Sequence, residues 1–558
     1  MPDRERRWLA RGASAVAGAL PALAFPEPGI WPLAWIGLVP LLLLVARART
    51  PREAGVRAWL GGAGLLAAVH AWLAPVLGPA LPAFALLLGA ALIPWGVAVR
   101  ALLSGPVTVA KLLAAIAVLP AGWVLAEAVR SWDRLGGPFG LLGSSQWANR
   151  PLLAPAALGG VWLVSFLAVA VNAALAAALA PGTRAAVRLA AVALAAAAFA
   201  SGPAWDAVRS HPSAGRTLRV GLVQPGVIGS PGARFDAGER ATLQLAASRP
   251  ELVVWGESSV GFDLDSRPDL RARLVRLARV TGADLLVNVD ARRQAGRGIS
   301  KSAVLVRPDG IDGRYDKMRL VPFGEYIPLR PLLGWVARIS KAAAEDRVRG
   351  TALVELQARA VRIGPLVCFE SAFPDLARQH VARGAELIVV QSATTTFQHS
   401  WAPEQHASFA PLRAVETGHP VVHATLTGVT TVADARGRVL ARFGTGWRGA
   451  AVVTLPLGAA DTPYVRLGDW VPRGCLAIVV AAAVAALARR RGPGGQRSGR
   501  PGPPAPAAPA REPAGSGRVA DVHQPHPAAG DRASPLVGDA DLPELQAPAA
   551  RDRPALDP

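Results

Sequence analysis

The sequence predicts a membrane α-helical bundle of about eight spans with one aqueous α/β domain inserted near its end. Three observations predict it. Charged residues make up 18% of the 558-residue chain and hydrophobic residues 51%, against about 25% charged in a typical soluble domain. Residues 1 to about 205 hold seven apolar stretches, and an eighth lies near 471–488. Each is near the roughly 20 residues needed to cross a bilayer core of about 30 Å. Between them, residues 215–465 alternate short apolar β-type runs with helical stretches, the pattern of α/β layers. The composition excludes a single water-soluble globule and a mainly disordered chain.

The expected spans are 8–25, 29–46, 58–78, 80–103, 107–128, 155–180, 184–202 and 471–488. Arginines set their orientation. Arg4, Arg6 and Arg7 precede span one. Arg47, Arg49, Arg52 and Arg57 lie between spans two and three, Arg100 and Lys111 flank the link between four and five, and Arg184 and Arg188 lie between six and seven. Arg489, Arg490 and Arg491 follow span eight. These fall on alternate loops, so the positive-inside rule places the N-terminus in the cytoplasm and residues 215–465 outside it. Arg130, Arg134 and Arg150 fall on the outer side and break the pattern. The first span has a competing reading as a cleavable signal peptide ending near Ala22-Leu23-Ala24, which would leave the later topology unchanged. The Ala- and Gly-rich faces of spans six and seven suit close helix packing in lipid.

The net charge of +21 arises from 60 basic and 39 acidic residues. In an apolar chain this excess reads as arginine at cytoplasmic membrane ends, and no nucleic-acid partner is expected. Only four basic residues are lysines: Lys111, Lys301, Lys317 and Lys341. The two cysteines, Cys368 and Cys475, cannot build a disulfide framework.

Within the aqueous domain the strand candidates are Leu218–Val223, Leu252–Trp255, Asp284–Val289, Ala303–Val306, Ile363–Val367 and Leu387–Val390. Helices are expected over about 237–247, 268–280, 373–383 and 403–418. About 250 residues suffice for one large core. Residues 492–558, rich in Pro, Ala, Gly and Arg and lacking aromatic residues, are expected to form a disordered cytoplasmic tail.

Three segments carry chemistry. Leu252-Val253-Val254-Trp255-Gly256-Glu257 runs a buried strand into a carboxylate at its C-terminal edge, where α/β sheets place ligands. Tyr315-Asp316-Lys317-Met318-Arg319-Leu320-Val321-Pro322-Phe323-Gly324-Glu325-Tyr326-Ile327-Pro328 reads as a structured loop, with a lysine in a chain that otherwise uses arginine. Gly364-Pro365-Leu366-Val367-Cys368-Phe369-Glu370 delivers a cysteine to a strand end just before a helix, a setting that favours thiolate. Taken singly, each has a plainer reading: a solvated strand-end glutamate, a surface lysine, a buried structural cysteine. Together they give a base for a thiol proton, a nucleophile, and a cation for the oxyanion of a tetrahedral intermediate. His380, His399, His406, His419 and His423 are scattered without metal-ligand spacing, and no glycine-rich phosphate loop is present, so no metal or cofactor is expected.

These segments resemble the carbon–nitrogen hydrolase (nitrilase) superfamily, and with the eight spans around them the chain is similar to the apolipoprotein N-acyltransferase family over about residues 8–488. Further matching segments are Leu222-Val223-Gln224, Gln405-His406, Arg413-Ala414-Val415-Glu416 and Thr427-Gly428-Val429-Thr430. The resemblance implies a nitrilase-like αββα sandwich. It also implies a catalytic triad of Glu257 as general base, Lys317 as oxyanion stabiliser and Cys368 as nucleophile. Glu325, Glu370 and Phe369 would support it. The implied reaction moves an acyl chain from a membrane phospholipid, through a cysteine thioester, to the α-amine of a diacylglyceryl-cysteine at a lipoprotein N-terminus. A monomer is expected.

The sequence departs from the family at Phe369, where many relatives have Tyr, at Gln391-Ser392-Ala393-Thr394-Thr395-Thr396, which replaces an Asn-Asp-Ala-Trp-Phe-type run, and at Lys301-Ser302, where an Asn-Ser pair is usual. These departures and the Ala/Arg-rich composition resemble the actinobacterial branch. Two other functions fit parts of the sequence. A membrane-tethered amidase would use the same triad with water as second nucleophile, although one span suffices as a tether. A transporter or scaffold with a degenerate domain would need charges at the bundle centre, whereas Glu127 and Lys111 lie near span ends.

Overall fold

The structure is a computed structural model that describes residues 3–209, 215–293, 298–335, 345–458 and 460–491. The expected tail at 492–558 and Lys341 lie outside the described residues.

The apolar half folds into helices α1 (Asp3–Ala19), α2 (Leu33–Ala46), α3 (Pro51–Val69), α4 (Ala71–Leu77), α5 (Ala80–Leu103), α6 (Val109–Arg130), α7 (Ala156–Leu179) and α8 (Ala185–Val208). A last apolar helix runs over Trp470–Arg491. Among the described residues five helices are long and apolar enough to cross a membrane: α5 to α8 and the last. The count is six if α3 and α4, bent by 64° at their junction, form one span. The first two expected spans are shorter helices: α1 carries Arg4, Arg6, Arg7 and Arg11 in its first half, and α2 is a short apolar segment. The α1–α3 crossing is closed by glycine. A Cβ on Gly18 would sit 2.0 Å from the carbonyl oxygen of Gly61, and one on Gly64 would sit 2.0 Å from that of Ala15. Of the two small-residue spans singled out in the sequence, α7 is central, with 78% of its apolar window buried, whereas α8 buries only 22%.

Arg130, which breaks the arginine pattern, has a structural task. It is buried, donates to the carbonyls of Phe139 and Gly140 at 2.6 Å each, and lies 3.8 Å from Glu127. Glu127 accepts the backbone N–H of Leu142 at 2.7 Å. The pair pins the loop between α6 and α7 and is not a bundle-centre charge of the kind a transporter needs.

The aqueous part contains twelve described strands in two six-stranded sheets. One has the order β12 (Gly449–Pro456), β1 (Thr217–Gln224), β2 (Leu252–Trp255), β3 (Asp284–Arg292), β4 (Ile299–Arg307), β5 (Gly310–Asp316). The other has the order β11 (Val439–Phe443), β10 (Thr430–Ala433), β9 (Val421–Thr425), β8 (Leu387–Ser392), β7 (Arg362–Val367), β6 (Leu356–Gln357). β1–β2–β3 and β7–β8–β9 are parallel; the outer pairings are antiparallel. The period-2 rule shows why the central strands are apolar on both faces. Leu252 and Val254 of β2, Leu286 of β3 and Leu305 of β4 join the core shared with the second sheet. Val253, Trp255, Leu285, Val287, Val304 and Val306 face the opposite way, onto α9 (Pro231–Leu243) and α10 (Pro268–Thr281) through Phe235, Leu270, Leu274 and Leu277. On the second sheet α11 (Pro374–Ala382), α12 (Ala402–Ala407) and α13 (Phe409–Thr417) close an αββα stack.

All six expected strands are present. The helix expected over 237–247 begins earlier, because Pro231 fits the first helical position and Ser230 accepts the N–H of Ala233. The 403–418 helix is two helices, α12 and α13. β5, β6 and β9 to β12 have no counterpart among the strand candidates; β5 is polar and only half-buried, and β6 has two residues.

The membrane helices and the α11–α13 layer share one continuous core, which includes Val124, Phe139, Val161, Leu376 and Leu412. Near its N-terminus α7 breaks at Gly159 and Gly160, the latter with φ 68°. Glu416, fully buried, accepts the N–H of Val161 at 2.7 Å, and Arg413 pairs with it at 2.7 Å. The α11–α13 layer is thereby fixed to the helix bundle.

Candidate active site

Glu257, Lys317 and Cys368 come from the ends of three strands, β2, β5 and β7. Glu257 follows Gly256, at which a Cβ would lie 1.9 Å from the backbone nitrogen of Leu426. Only glycine lets the two sheets approach here. The Glu257 N–H then donates to the Ser392 carbonyl across the gap at 3.1 Å.

Four charged side chains form a closed cluster. Lys301 Nζ lies 2.7 Å from Glu257 Oε1 and 3.1 Å from Glu325 Oε1. Lys317 Nζ lies 2.8 Å from Glu325 Oε1 and 3.5 Å from Glu257 Oε1. The second oxygens accept backbone N–H groups, Glu257 Oε2 from Ala393 at 3.1 Å and Glu325 Oε2 from Val321 at 2.9 Å. Burial works to raise both carboxyl pKa values, but the lysines prevail: Glu257 falls below the ordinary range and Glu325 to about 2. Burial likewise works against the lysine charges, yet the carboxylates hold both ammoniums above their usual pKa. The cluster is fully ionised and neutral in sum at pH 7.

Cys368 is partly exposed and has φ 51°, a left-handed conformation sparsely populated by residues with a Cβ. The elbow is held from below. Its carbonyl accepts from Ser371 Oγ at 2.9 Å and from His406 Nε2 at 3.0 Å. His406 Nδ1 faces Ser392 Oγ at 2.9 Å. Burial depresses the His406 pKa to about 4, which favours a neutral ring, and its contact with the Cys368 carbonyl helps fix the elbow backbone. The thiol feels the charges of Glu257, Lys317, Lys301 and Glu325; burial and the two carboxylates outweigh the lysines and push it up to about 12. In contrast to the thiolate-favouring setting expected from the strand end, the balance of burial and charge favours the thiol form at rest.

Glu370 joins the lysine loop to the elbow. Its Oε1 accepts from Tyr315 Oη at 2.8 Å, Met318 N at 2.7 Å and Arg319 N at 3.0 Å, and its Oε2 accepts from Val367 N at 2.8 Å. Glu370 therefore acts as a clamp. Phe369 turns its ring toward the membrane helices, stacking on Phe139 with ring centroids 6.1 Å apart; Trp72 packs against Phe139 at 5.6 Å and Phe397 at 4.9 Å. An aromatic wall runs from the bend between α3 and α4 to Phe369, beside Cys368.

Two residues at the site had no catalytic place in the sequence analysis: Lys301, a member of the charged cluster, and His406, which contacts the Cys368 carbonyl. Lys301 was visible as one of four lysines and as a departure from the Asn-Ser pair usual in the family. His406 was visible only as part of a matching segment.

Residues 17–174 match the family described as Apolipoprotein N-acyltransferase N-terminal domain, and residues 219–462 match Carbon-nitrogen hydrolase. The Apolipoprotein N-acyltransferase of Geobacter metallireducens is 32% identical over 510 residues, covering 86% of this chain and 95% of the relative. That of Azotobacter vinelandii is 33% identical, covering 85% and 95%. The chain belongs to the apolipoprotein N-acyltransferase family. Another family member, from Gloeobacter violaceus, is 31% identical over 532 residues and covers 88% of this chain and 98% of its own length. Among solved structures, an amidase from Nesterenkonia sp. AN1 matches 45% of this chain and 95% of its own, at 21% identity and a TM-score of 0.33. This acyltransferase thus joins apolar helices to a carbon–nitrogen hydrolase domain.

Proposed function

We propose that Cys368 carries the acyl group between a membrane phospholipid and the N-terminal amine of a diacylglyceryl apolipoprotein. The observation that supports it most is the position of Cys368: a strained strand-end thiol beside the Glu257–Lys317 cluster on one side and the aromatic wall from the membrane helices on the other.

In the first half-reaction the thiol proton passes to Glu257 as sulfur attacks the ester carbonyl and the C–S bond forms. Lys317 and the N–H of Phe369 hold the oxyanion. Phe369 lies in the first turn of the short helix Cys368–Ala372, where N–H groups lack intrahelical acceptors. Collapse breaks the ester C–O bond, and Glu257 returns the proton to the departing lysophospholipid. In the second half-reaction the lipoprotein amine attacks the thioester and gives a proton to Glu257. The C–S bond then breaks and the thiol is restored.

The arginine distribution supports a multi-pass protein whose catalytic domain, residues 215–465, faces the extracytoplasmic side. On this reading residues 1–205 and 471–488 form the membrane region and the working unit is a monomer. Mass spectrometry of a lipoprotein N-terminus from cells with and without this protein tests the function. The expected result is a third acyl chain present only with the protein.

A further inference from the structure

Lys301 is the unexplained member of the site. It stands on β4, its side chain is 13% exposed, and the chain chose lysine there in spite of a strong preference for arginine. Its three N–H donors face three carboxylates: Glu257 at 2.7 Å, Glu325 at 3.1 Å and Asp290 at 3.7 Å. A compact ammonium can serve three acceptors spread around it; a planar guanidinium fork cannot.

The two lysines divide their work by distance. Lys301 is the nearer partner of Glu257, and Lys317 is the nearer partner of Glu325. With a neutral side chain at 301, Lys317 would be left as one cation between two carboxylates, closer to Glu325. Repulsion would then favour a proton on Glu257, and a protonated Glu257 cannot accept another from the thiol. The remaining charged neighbours do not replace Lys301. Asp290 is anionic and is itself engaged by Arg347 at 3.5 Å and Ser258 Oγ at 2.9 Å.

We propose that Lys301 is a positioning residue of the acyl-transfer site: its ammonium holds Glu257 in the ionised, proton-accepting form and leaves Lys317 free to serve Glu325 and the substrate carbonyl. Charge bookkeeping supports this. At rest, two carboxylates face two ammoniums. When the thiol proton moves to Glu257 and an oxyanion forms, Glu325 and the oxyanion still face two ammoniums, so the site stays neutral through the step. Without Lys301 both states carry an uncompensated negative charge. The inference rests on the reading of Cys368 and Glu257 given above.

The test is single-turnover acylation of the full-length protein by a labelled diacyl phospholipid in detergent micelles, followed by intact mass between about pH 5 and pH 9. Lys301→Gln is expected to move the acid limb up by about two pH units, so that acylation is several-fold slower near pH 5 and recovers toward the wild-type rate near pH 9. Lys301→Arg keeps the charge and is expected to keep the wild-type acid limb at a reduced rate; it also serves if Lys301→Gln does not fold. A rate lowered by the same factor at every pH in Lys301→Gln, or an acid limb shifted equally in Lys301→Arg, would overturn the proposal. Wild-type protein that forms no adduct at any pH overturns the Cys368 reading and this inference with it. An adduct in the wild type with an unchanged Lys301→Gln profile overturns this inference alone.

Discussion

Glu370 Oε1 accepts the backbone N–H of Met318 at 2.7 Å, and through this bond the lysine loop and the cysteine elbow are set relative to each other. The same carboxylate also takes Tyr315, Arg319 and Val367, so four donors depend on one buried side chain. Glu370→Ala would leave these donors without a partner. We expect a stability loss of about 3 kcal/mol or more and acylation slowed by at least about a hundredfold, because Lys317 and Cys368 lose their common reference. Thermal unfolding and acyl-enzyme formation check it. A variant with wild-type melting and rate would show that the clamp is dispensable.

Glu257 has opposite effects on two reactions of the same thiol. Its charge helps push the Cys368 pKa up to about 12, so at pH 7 slow alkylation of the wild type is expected. The sign follows directly: removing that charge lowers the thiol pKa. Glu257→Gln is therefore expected to be alkylated by iodoacetamide faster than wild type at pH 7 to 8, while acylation by phospholipid falls by about 10²–10⁴ for want of a proton acceptor. Slower alkylation in Glu257→Gln, or intact acylation, would contradict the assignment of Glu257.

Gly256 separates Trp255 from Glu257 where the backbone comes close to Thr425 and Leu426. A Cβ there would overlap the backbone at Leu426, which has no flexible end to move aside. Gly256→Ala is expected to cost about 1–3 kcal/mol by overpacking and to displace Glu257 from the cluster. Melting temperature and acylation rate should fall together. Full activity with unchanged stability would mean that the sheets yield more easily than their packing implies.

The central strands were legible because both their faces are buried: Leu252–Val254 and Leu387–Val390 are apolar without interruption. The edge strands were not, since β5 mixes Gly, Asp and Arg and gains its order from pairing with β4. In the membrane region the apolar stretches near 8–25 and 29–46 gave span-length signals, but the chain turns within them, at Leu20–Ala24 and before Leu33. Glu257, Lys317 and Cys368 are marked by motif and strand end, and Glu325 and Glu370 by motif alone. Their grouping is tertiary, and so was the place of Lys301, which comes from β4 and reaches the site only because β4 lies between β3 and β5. The role of His406 depends on a hydrogen bond to a backbone carbonyl, which no side-chain pattern announces.

The orientation of the domain is open to chemical labelling. Arg271, exposed on α10, offers a site for an introduced cysteine in a variant that lacks Cys475. We expect Arg271→Cys to react with a membrane-impermeant maleimide in intact cells whose outer barrier has been removed. Labelling only after the plasma membrane is broken would reverse the topology.

The central claim is that Cys368 holds the acyl group, and intact mass spectrometry of the purified protein after incubation with a labelled phospholipid tests it most directly. Wild-type protein and Cys475→Ala should gain one acyl group that hydroxylamine removes. Cys475 is buried within the last apolar helix. Cys368→Ala and Cys368→Ser should gain none, and Lys317→Arg should gain little, because a guanidinium cannot replace the buried ammonium between Glu257 and Glu325. A hydroxylamine-sensitive adduct that persists in Cys368→Ala would contradict the account.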